Sequence, residues 1–210
     1  MLTPDLSIRA KLAALMVIVW AARLAGFLFM RISQDGHDDR FDEIKAEPMR
    51  FLIAWTVQGL WVLLTAACAL AIITGNNDQA IGLVGIIGIL VWLFGFIVEI
   101  VADAQKRAFK RDPNNQGRFI NTGLWAWSQH PNYFGEIILW IGMAILAVPV
   151  LANWQWLALV SPLFVILLLT KVSGIPMLQE KALKRWGNDE AYQRYSTTTS
   201  LLIPMPPAAR

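Results

Sequence analysis

Apolar runs of about twenty residues recur along this chain and constrain its fold more than any other feature. A helix of roughly 20 residues spans a hydrocarbon core of about 30 Å, and in lipid the backbone is satisfied only within helices or closed barrels. We therefore predict an all-α fold, a polytopic transmembrane helix bundle that forms a single membrane domain over residues 1–210. The predicted spans, about five, are 6–30, 51–73, 80–101, 133–151 and 154–170.

The composition supports a membrane protein and excludes several other classes. Hydrophobic residues make up 56% of the chain and charged residues only 16%, whereas a soluble domain carries about 25% charged residues. A single cysteine, Cys68, excludes an intramolecular disulfide framework. One cysteine and two histidines do not make the usual four-ligand zinc site, so we expect no metal.

Basic residues are distributed unevenly between the predicted spans. Fifteen of the 18 Lys and Arg residues follow the first, third or fifth span, which puts them on one side of the membrane. The positive-inside rule predicts that this side is cytoplasmic, so the loop 102–132 and the tail 171–210 should face the cytosol, and we expect a bacterial inner membrane. The same rule accounts for the net charge of +3 without nucleic acid as a partner.

Charged residues also occur inside the third predicted span and just after it. Glu99, Asp103 and Arg107 follow one another at intervals of four, which places them along one stripe of a helix. Burying an ionisable residue in a membrane costs about 2–3 kcal/mol or more, which makes such a residue a candidate for function. The alternative interpretation is an interfacial row of ion pairs.

The loop after this stripe is strongly basic. Arg107, Lys110 and Arg118 belong to it, together with Lys106 and Arg111. Charge and bidentate donors of this kind suit a phosphate-bearing ligand. The positive-inside rule alone is an equally good explanation.

Polar groups converge where the fourth span begins, in the segment SQHPNYFGE. Pro131 and Asn132 favour a helix start, whose free N–H groups attract anions. Glu136 lies one turn inside the span, on the same face as Asn132. A carboxylate in this position needs hydrogen-bond donors, and a ribose hydroxyl or a carboxamide would serve. A structural role for His130 is the alternative.

Two further patterns are typical of helix packing and of membrane interfaces. Gly82, Gly85, Gly88 and Gly95 predict a close approach between the third span and another helix. Downstream of the fifth span, the apolar stripe within 178–186 predicts a short interfacial helix.

Four motifs together resemble the steroid 5-alpha-reductase-like membrane proteins, and most closely their bacterial members of uncharacterised substrate. The motifs are E-x3-D-x-Q-K-x2-F-K from Glu99, G-L-W-x2-S-x-H-P-N-Y-F-G-E from Gly123, K-x-S-G-I-P from Lys171, and Y-x2-Y from Tyr192 followed by I-P. The resemblance implies a helical bundle that takes NADPH from the cytosol and reduces a carbon–carbon double bond in an apolar, lipid or sterol-like substrate.

The resemblance also implies roles for individual residues. Those implied to bind the cofactor are Asp103, Arg107, Lys110, Arg118, Trp125, His130, Asn132, Tyr133, Glu136, Lys171, Tyr192 and Tyr195. Trp20, Arg23 and Gln58 are placed on the substrate side. Trp20 stands where steroid reductases carry a tyrosine, and Gln129 stands where close relatives carry an arginine.

Two other functions are compatible with the sequence. Membrane methyltransferases of the isoprenylcysteine and phospholipid type share a His-Pro-x-Tyr-x-Gly element and use S-adenosylmethionine, but their ligand has no phosphates for the basic loop to bind. A catalytically degenerate bundle, or a partner subunit, is the third alternative, because an indole such as that of Trp20 is a very poor proton donor.

Overall fold

A computed structural model describes residues 6–35, 47–77 and 79–206, and within these ranges the regular structure is helical, with no strand. Short 3₁₀ turns occur at Pro113–Asn115, Gly123–Ala126, Val148–Val150 and Asn153–Leu159. The α-helices are α1 Ile8–Asp35, α2 Pro48–Thr65, α3 Ala67–Thr74, α4 Leu83–Arg111, α5 Pro131–Ala147, α6 Val160–Leu167, α7 Ile175–Trp186 and α8 Glu190–Thr198.

The predicted transmembrane bundle is confirmed. Four helical stretches of the described chain are long and apolar enough to cross a membrane, namely Ile8–Met30, Leu83–Arg111, Pro131–Val150 and Asn153–Trp186. The bent pair α2 and α3 makes a fifth if it is counted as one span. The chain is therefore an integral membrane protein.

The second span is broken, where the sequence predicted one helix over 51–73. Helices α2 and α3 meet at Ala66 with a bend of 64°. The Ser161 hydroxyl of α6 donates to the Thr65 carbonyl at the break, so a neighbouring helix satisfies a backbone group there. No proline or glycine marks this break, which explains why the pattern gave no sign of it.

The third span is longer than predicted. Helix α4 continues past residue 101 to Arg111, so the first ten residues of the predicted loop 102–132 are helical. The fourth span begins at Pro131 in the first helical position, as expected for proline. The fifth span is irregular, because α6 lies between the 3₁₀ turn Asn153–Leu159 and a π-helical turn at Leu168–Val172.

Helices α4 and α5 form the closest packed pair, and glycines make this approach possible. A Cβ atom on Gly95 would lie 2.6 Å from the Gly135 carbonyl oxygen, and one on Gly88 would lie 2.6 Å from the Leu146 nitrogen. The packing prediction is confirmed for these two glycines of α4. Gly82 has open space around its Cα, and Gly85 lies against the Arg9 guanidinium instead.

The C-terminal segment folds back over the start of α5. Asp189 caps α8 by accepting from the Ala191 N–H at 2.8 Å. After α8 the chain is held by the Ser128 hydroxyl, which donates to the Leu202 carbonyl at 2.8 Å. A helix is present over the predicted segment as α7, with Gly187 following its last residue. Its position at a membrane interface stays a prediction.

Candidate functional site

An ion-paired group lies between α1 and α4. The Arg23 guanidinium contacts the carboxylates of both Glu99 and Asp103, whose residues are 5% and 8% exposed. The stripe pattern had suggested Arg107 as the basic member of this row. Arg107, one turn further along α4, adds an electrostatic interaction with Asp103.

Helix α5 contributes two further polar side chains to the same place. The Asn132 amide donates to Asp103 Oδ1 at 3.3 Å. Glu136 accepts from two indoles, Trp140 Nε1 at 2.9 Å and Trp20 Nε1 at 3.3 Å. The two indole rings meet edge to face with their centroids 5.0 Å apart. We call these residues the polar cluster: Trp20, Arg23, Glu99, Asp103, Asn132, Glu136 and Trp140.

A separate cavity of about 270 Å³ lies between the end of α4, the segment before α5, and helices α7 and α8. Among the described residues that line it, five are basic and none is acidic. We call it the basic pocket; its cations are Lys106, Lys110, Arg118, Lys181 and Arg185, and its aromatic residues include Phe119, Trp125, Trp186, Tyr192 and Tyr195.

The aromatic wall of the basic pocket is held by hydrogen bonds. Trp125 Nε1 donates to the Ala102 carbonyl at 3.0 Å, and the Tyr195 hydroxyl donates to the Trp125 carbonyl at 2.8 Å. The Lys106 ammonium lies 4.6 Å from the centre of the Trp125 ring, a cation–π contact. Burial, together with the neighbouring Tyr192, raises the pKa of Tyr195 far above its usual value, so its hydroxyl keeps its proton and remains a donor.

His130 lies between the basic pocket and the polar cluster. It lines the pocket, and its ring stacks on Tyr133 with centroids 5.6 Å apart. Burial, reinforced by the positive charge of Lys106, lowers the pKa of His130 to about 4, so the imidazole is neutral at pH 7. Its buried Nδ1 has no hydrogen-bond partner within the part of the chain that the structure describes.

The two regions are contiguous. Lys106 lies one turn after Asp103 on α4 and interacts with it electrostatically, while Tyr133 interacts with Asp103 and Glu136. The result is a polar surface that runs from a basic, aromatic pocket into a group of acids, an amide and indoles at membrane depth. Such a surface can hold an elongated ligand with an anionic, ring-bearing end and a polar second end.

Gln129 has a structural role in this arrangement. Its side-chain amide donates to the carbonyls of Ser196 and Thr199 at 3.0 and 2.8 Å, and its backbone N–H donates to the Ser200 carbonyl at 2.8 Å. These bonds cap the C-terminal end of α8, because the last carbonyls of a helix have no partner within it. They keep α8 against the pocket.

Most of the residues singled out in the sequence come together. The basic pocket receives Lys110, Arg118, Trp125, His130, Tyr192 and Tyr195, and the polar cluster receives Trp20, Arg23, Asp103, Asn132 and Glu136, with Arg107 and Tyr133 beside it. Lys171 and Gln58 are exposed and lie outside both sets.

Several residues of the site were missed. Lys181, Arg185 and Trp186 line the basic pocket, and the Trp140 indole donates to Glu136. The contact of Trp140 with Glu136 could have been predicted from the sequence, since Trp140 follows Glu136 by four residues on one helical face. No sequence pattern places the α7 cations at the pocket, because only the return of α7 over the segment before α5 brings them there.

Comparisons with known proteins identify a family and several relatives of this chain. A model of the protein family of unknown function DUF1295 matches residues 1–199. Rattus norvegicus 3-oxo-5-alpha-steroid 4-dehydrogenase 1 is 26% identical over 56% of this chain and 40% of its own length. The uncharacterized protein C594.04c of Schizosaccharomyces pombe is 31% identical over 47% of this chain and 36% of its own length.

A third relative is of a different kind. The "Probable O-methyltransferase ustE" of Ustilaginoidea virens is 31% identical over 28% of this chain and 20% of its own length. No solved structure matches the chain.

The matched region spans 36% and 40% of the length of the yeast and rat relatives, so these comparisons concern only part of each. The family model, in contrast, covers nearly the whole chain. The resemblance carried by the four motifs is thereby confirmed. The chain belongs to the DUF1295 family, which is the steroid 5-alpha-reductase-like family of membrane proteins.

Proposed function

We propose that this protein is an NADPH-dependent membrane reductase that acts on a carbon–carbon double bond of a lipid or sterol-like substrate. The observation that carries the proposal is the continuity between the basic pocket and the polar cluster, through Lys106, His130 and Tyr133. The weak similarity to the rat 3-oxo-5-alpha-steroid 4-dehydrogenase supports an oxidoreductase.

The basic pocket fits the phosphate-bearing and adenine end of the dinucleotide. Lys106, Arg118 and Arg185 would hold phosphate oxygens, because charge-assisted and bidentate bonds are the strongest available for phosphate. The Trp125 and Tyr192 rings offer apolar faces for a base. A volume of about 270 Å³ suits one end of the dinucleotide rather than the whole molecule, so the other end would extend toward the polar cluster.

The polar cluster fits the nicotinamide end. Asn132 and Glu136 offer an amide and a carboxylate, the partners that ribose hydroxyls and a carboxamide need. When bound, NADPH supplies a hydride. Arg23 keeps Glu99 and Asp103 paired, and the Trp20 and Trp140 indoles orient the Glu136 carboxylate.

The substrate would enter from the bilayer. Helix α2, which the structure describes in full, buries none of its side chains, and Trp55 and Leu60 on it are exposed. Because such a surface favours lipid over water, an apolar substrate would approach the cluster laterally. The basic pocket would open to the cytosol, as the distribution of Lys and Arg predicts, and a bacterial inner membrane remains the expected location.

A ligand-protection experiment tests this function. Purified protein in detergent is heated with NADPH, NADH or S-adenosylmethionine, and the unfolding temperature is recorded. NADPH should protect most, since a ligand at 100 times its Kd adds about 2.7 kcal/mol. Absence of protection by NADPH at millimolar concentration would contradict the proposal.

Matched variants locate the binding. Arg185→Ala and Asn132→Ala should each weaken NADPH affinity by roughly 10- to 150-fold, as expected for the loss of a charge-assisted hydrogen bond of about 1.5–3 kcal/mol. Lys184→Ala is the control, because Lys184 is exposed, lies outside the pocket and pairs with Glu180 at 2.6 Å. Unchanged affinity in both test variants would show that the site lies elsewhere.

A second candidate is a membrane methyltransferase, which the similarity to the Ustilaginoidea virens protein favours. S-adenosylmethionine carries no phosphate, and its single carboxylate would leave most of the five cations around the pocket without a ligand charge to bind. Protection by S-adenosylmethionine and not by NADPH would favour this candidate over the reductase.

A further inference from the structure

We propose that Glu99 and Glu136 share one proton at neutral pH, and that Glu136 delivers this proton to the substrate in the reduction. The inference rests on the proposed reductase function and adds to it the source of the proton. It assigns different roles to the two acids, with Glu99 as a positioning residue and Glu136 as the donor.

Helix packing brings the two acids together. A Cβ atom on Gly135 would lie 2.7 Å from the Glu99 backbone nitrogen and 2.9 Å from the Glu99 Cβ. The α5 backbone therefore touches α4 at Glu99, and the next residue of α5 is Glu136. The two carboxyl groups interact with each other directly.

A hydrogen-bond donor is missing between Glu99 and Glu136. Glu99 Oε1 contacts the Arg23 guanidinium, while Glu99 Oε2 is buried and has no partner among the described residues. Both Glu136 oxygens already accept from the Trp20 and Trp140 indoles. Two ionised carboxylates are acceptors only, so a proton between them supplies the donor that Glu99 Oε2 lacks.

The surrounding charges do not neutralise both acids. From α1, one guanidinium, that of Arg23, is divided between Glu99 and Asp103. The α4 cations Lys106 and Arg107 interact with Asp103, and Arg23 is the cation that acts on Glu99. From α5, Tyr133 faces Asp103 and Glu136 with a neutral hydroxyl group. Two carboxylates that share a site cannot both ionise readily, because the like charges repel.

Accessibility decides which acid delivers the proton. Glu99 is 5% exposed, whereas Glu136 is only partly buried. Trp20, which stands where a phenol would be expected in a steroid reductase, has an indole N–H that is bound to Glu136. Glu136, the more exposed of the two acids, is thus the one that can meet a substrate carbon.

Reduction of a carbon–carbon double bond adds a hydride to one carbon and a proton to its neighbour, and the cofactor of the proposed function supplies the hydride and is oxidised. The O–H bond of the Glu136 carboxyl breaks while a C–H bond forms at the second carbon, and the pair is left with two carboxylates. Water from the cytosolic side then returns one proton to the pair.

Infrared spectroscopy of the purified full chain in detergent tests the shared proton. At neutral pH the wild type should show a C=O stretching band of a protonated carboxyl that moves in D₂O. Glu99→Gln and Glu136→Gln should each lose the band, because the remaining acid ionises beside Arg23 or the two indoles. Glu180→Gln, an exposed glutamate of α7, is the control and should keep it.

Two results would overturn the shared proton: absence of the band from the wild type, or its persistence in either single variant. NADPH titration of the same samples separates this inference from the proposed function. If NADPH binds but the carboxyl band is absent, the proposed reductase function stands and the shared proton is rejected. If the carboxyl band is present but NADPH does not bind, the proposed reductase function is rejected, and with it the delivery of the shared proton to a substrate.

Proton delivery by Glu136 is tested by measuring the rate of NADPH oxidation, with a neutral lipid extract as the source of substrate. Glu136→Gln should reduce the rate by roughly 100-fold or more, the usual contribution of a general acid, while Glu180→Gln should not change it. A wild-type rate in Glu136→Gln would reject Glu136 as the donor, and no oxidation by the wild type would count against the reductase itself.

Discussion

Individual residues show how far the sequence could identify the site. The spacing of Glu99 and Asp103 correctly placed both acids on one face of α4. Their partner, Arg23, lies 76 and 80 residues earlier in the chain, and periodicity within one helix cannot predict a contact between two helices. The motif resemblance pointed to Arg23, but only the packing of α1 on α4 shows that it binds both acids.

The Arg23 ion pairs make a prediction about stability. Arg23→Met should lower the free energy of unfolding by about 3–5 kcal/mol, because it removes the guanidinium that contacts two buried carboxylates. Arg50→Met is the matched control, since the Arg50–Glu47 pair is more than half exposed and such pairs contribute about 1 kcal/mol at most. Equal losses in the two variants, measured by denaturant or thermal unfolding in detergent, would contradict the assignment.

His130 makes a prediction about pH. Its pKa is about 4 in the folded protein against 6.5 ordinarily, so on acidification the unfolded chain takes up a proton that the folded chain does not. Stability from this residue is therefore complete above about pH 6.5 and falls by about 1.4 kcal/mol per pH unit toward pH 4. Relative to wild type, His130→Asn should flatten the stability curve by about 3 kcal/mol across this window. Parallel curves for the two proteins would show that His130 is not buried as a neutral ring.

At the level of helices, the apolar runs predicted about five spans but not their interruptions. Four candidate spans are present, and the bent pair α2 and α3 makes the fifth if it is counted as one span. The break at Ala66 has no proline or glycine, and the neighbouring Ser161 that binds at it lies 96 residues from Thr65 in the chain. The extension of α4 to Arg111 was missed because polarity marks the end of a span but not of a helix. The glycines of α4 were recognised as a packing face, but their partners Gly135 and Gly142 on α5 emerge only from the structure.

The contact between α4 and α5 makes a prediction at this scale. Gly135→Ala should destabilise the protein by about 1–3 kcal/mol, because the added methyl group meets backbone that cannot move aside. The matched control is Gly59→Ala in α2, where nothing lies within 4 Å of the new methyl group, and alanine should be neutral or stabilising by up to about 1 kcal/mol. The unfolding temperature of Gly135→Ala should be lower than that of Gly59→Ala. A Gly135→Ala protein as stable as Gly59→Ala would contradict close packing between α4 and α5.

At the level of the whole molecule, the fold joins two polar regions that are far apart in sequence. The segment before α5 supplies His130 and Trp125, and the return of α7 and α8 over it supplies Arg185 and Tyr192. The sequence predicted the basic loop and a polar entry to the fourth span, because both are local features. The pocket itself depends on the fold-back of the C-terminal segment, which Gln129 holds in place through α8 and which local patterns do not encode.

The central claim is that the basic pocket and the polar cluster bind opposite ends of one dinucleotide. An experimental structure of the protein with NADPH tests it most directly. We expect phosphate density beside Lys106, Arg118 and Arg185, continuous with density that reaches Asn132 and Glu136. Density confined to some other surface, or a basic pocket left empty at saturating NADPH, would contradict it.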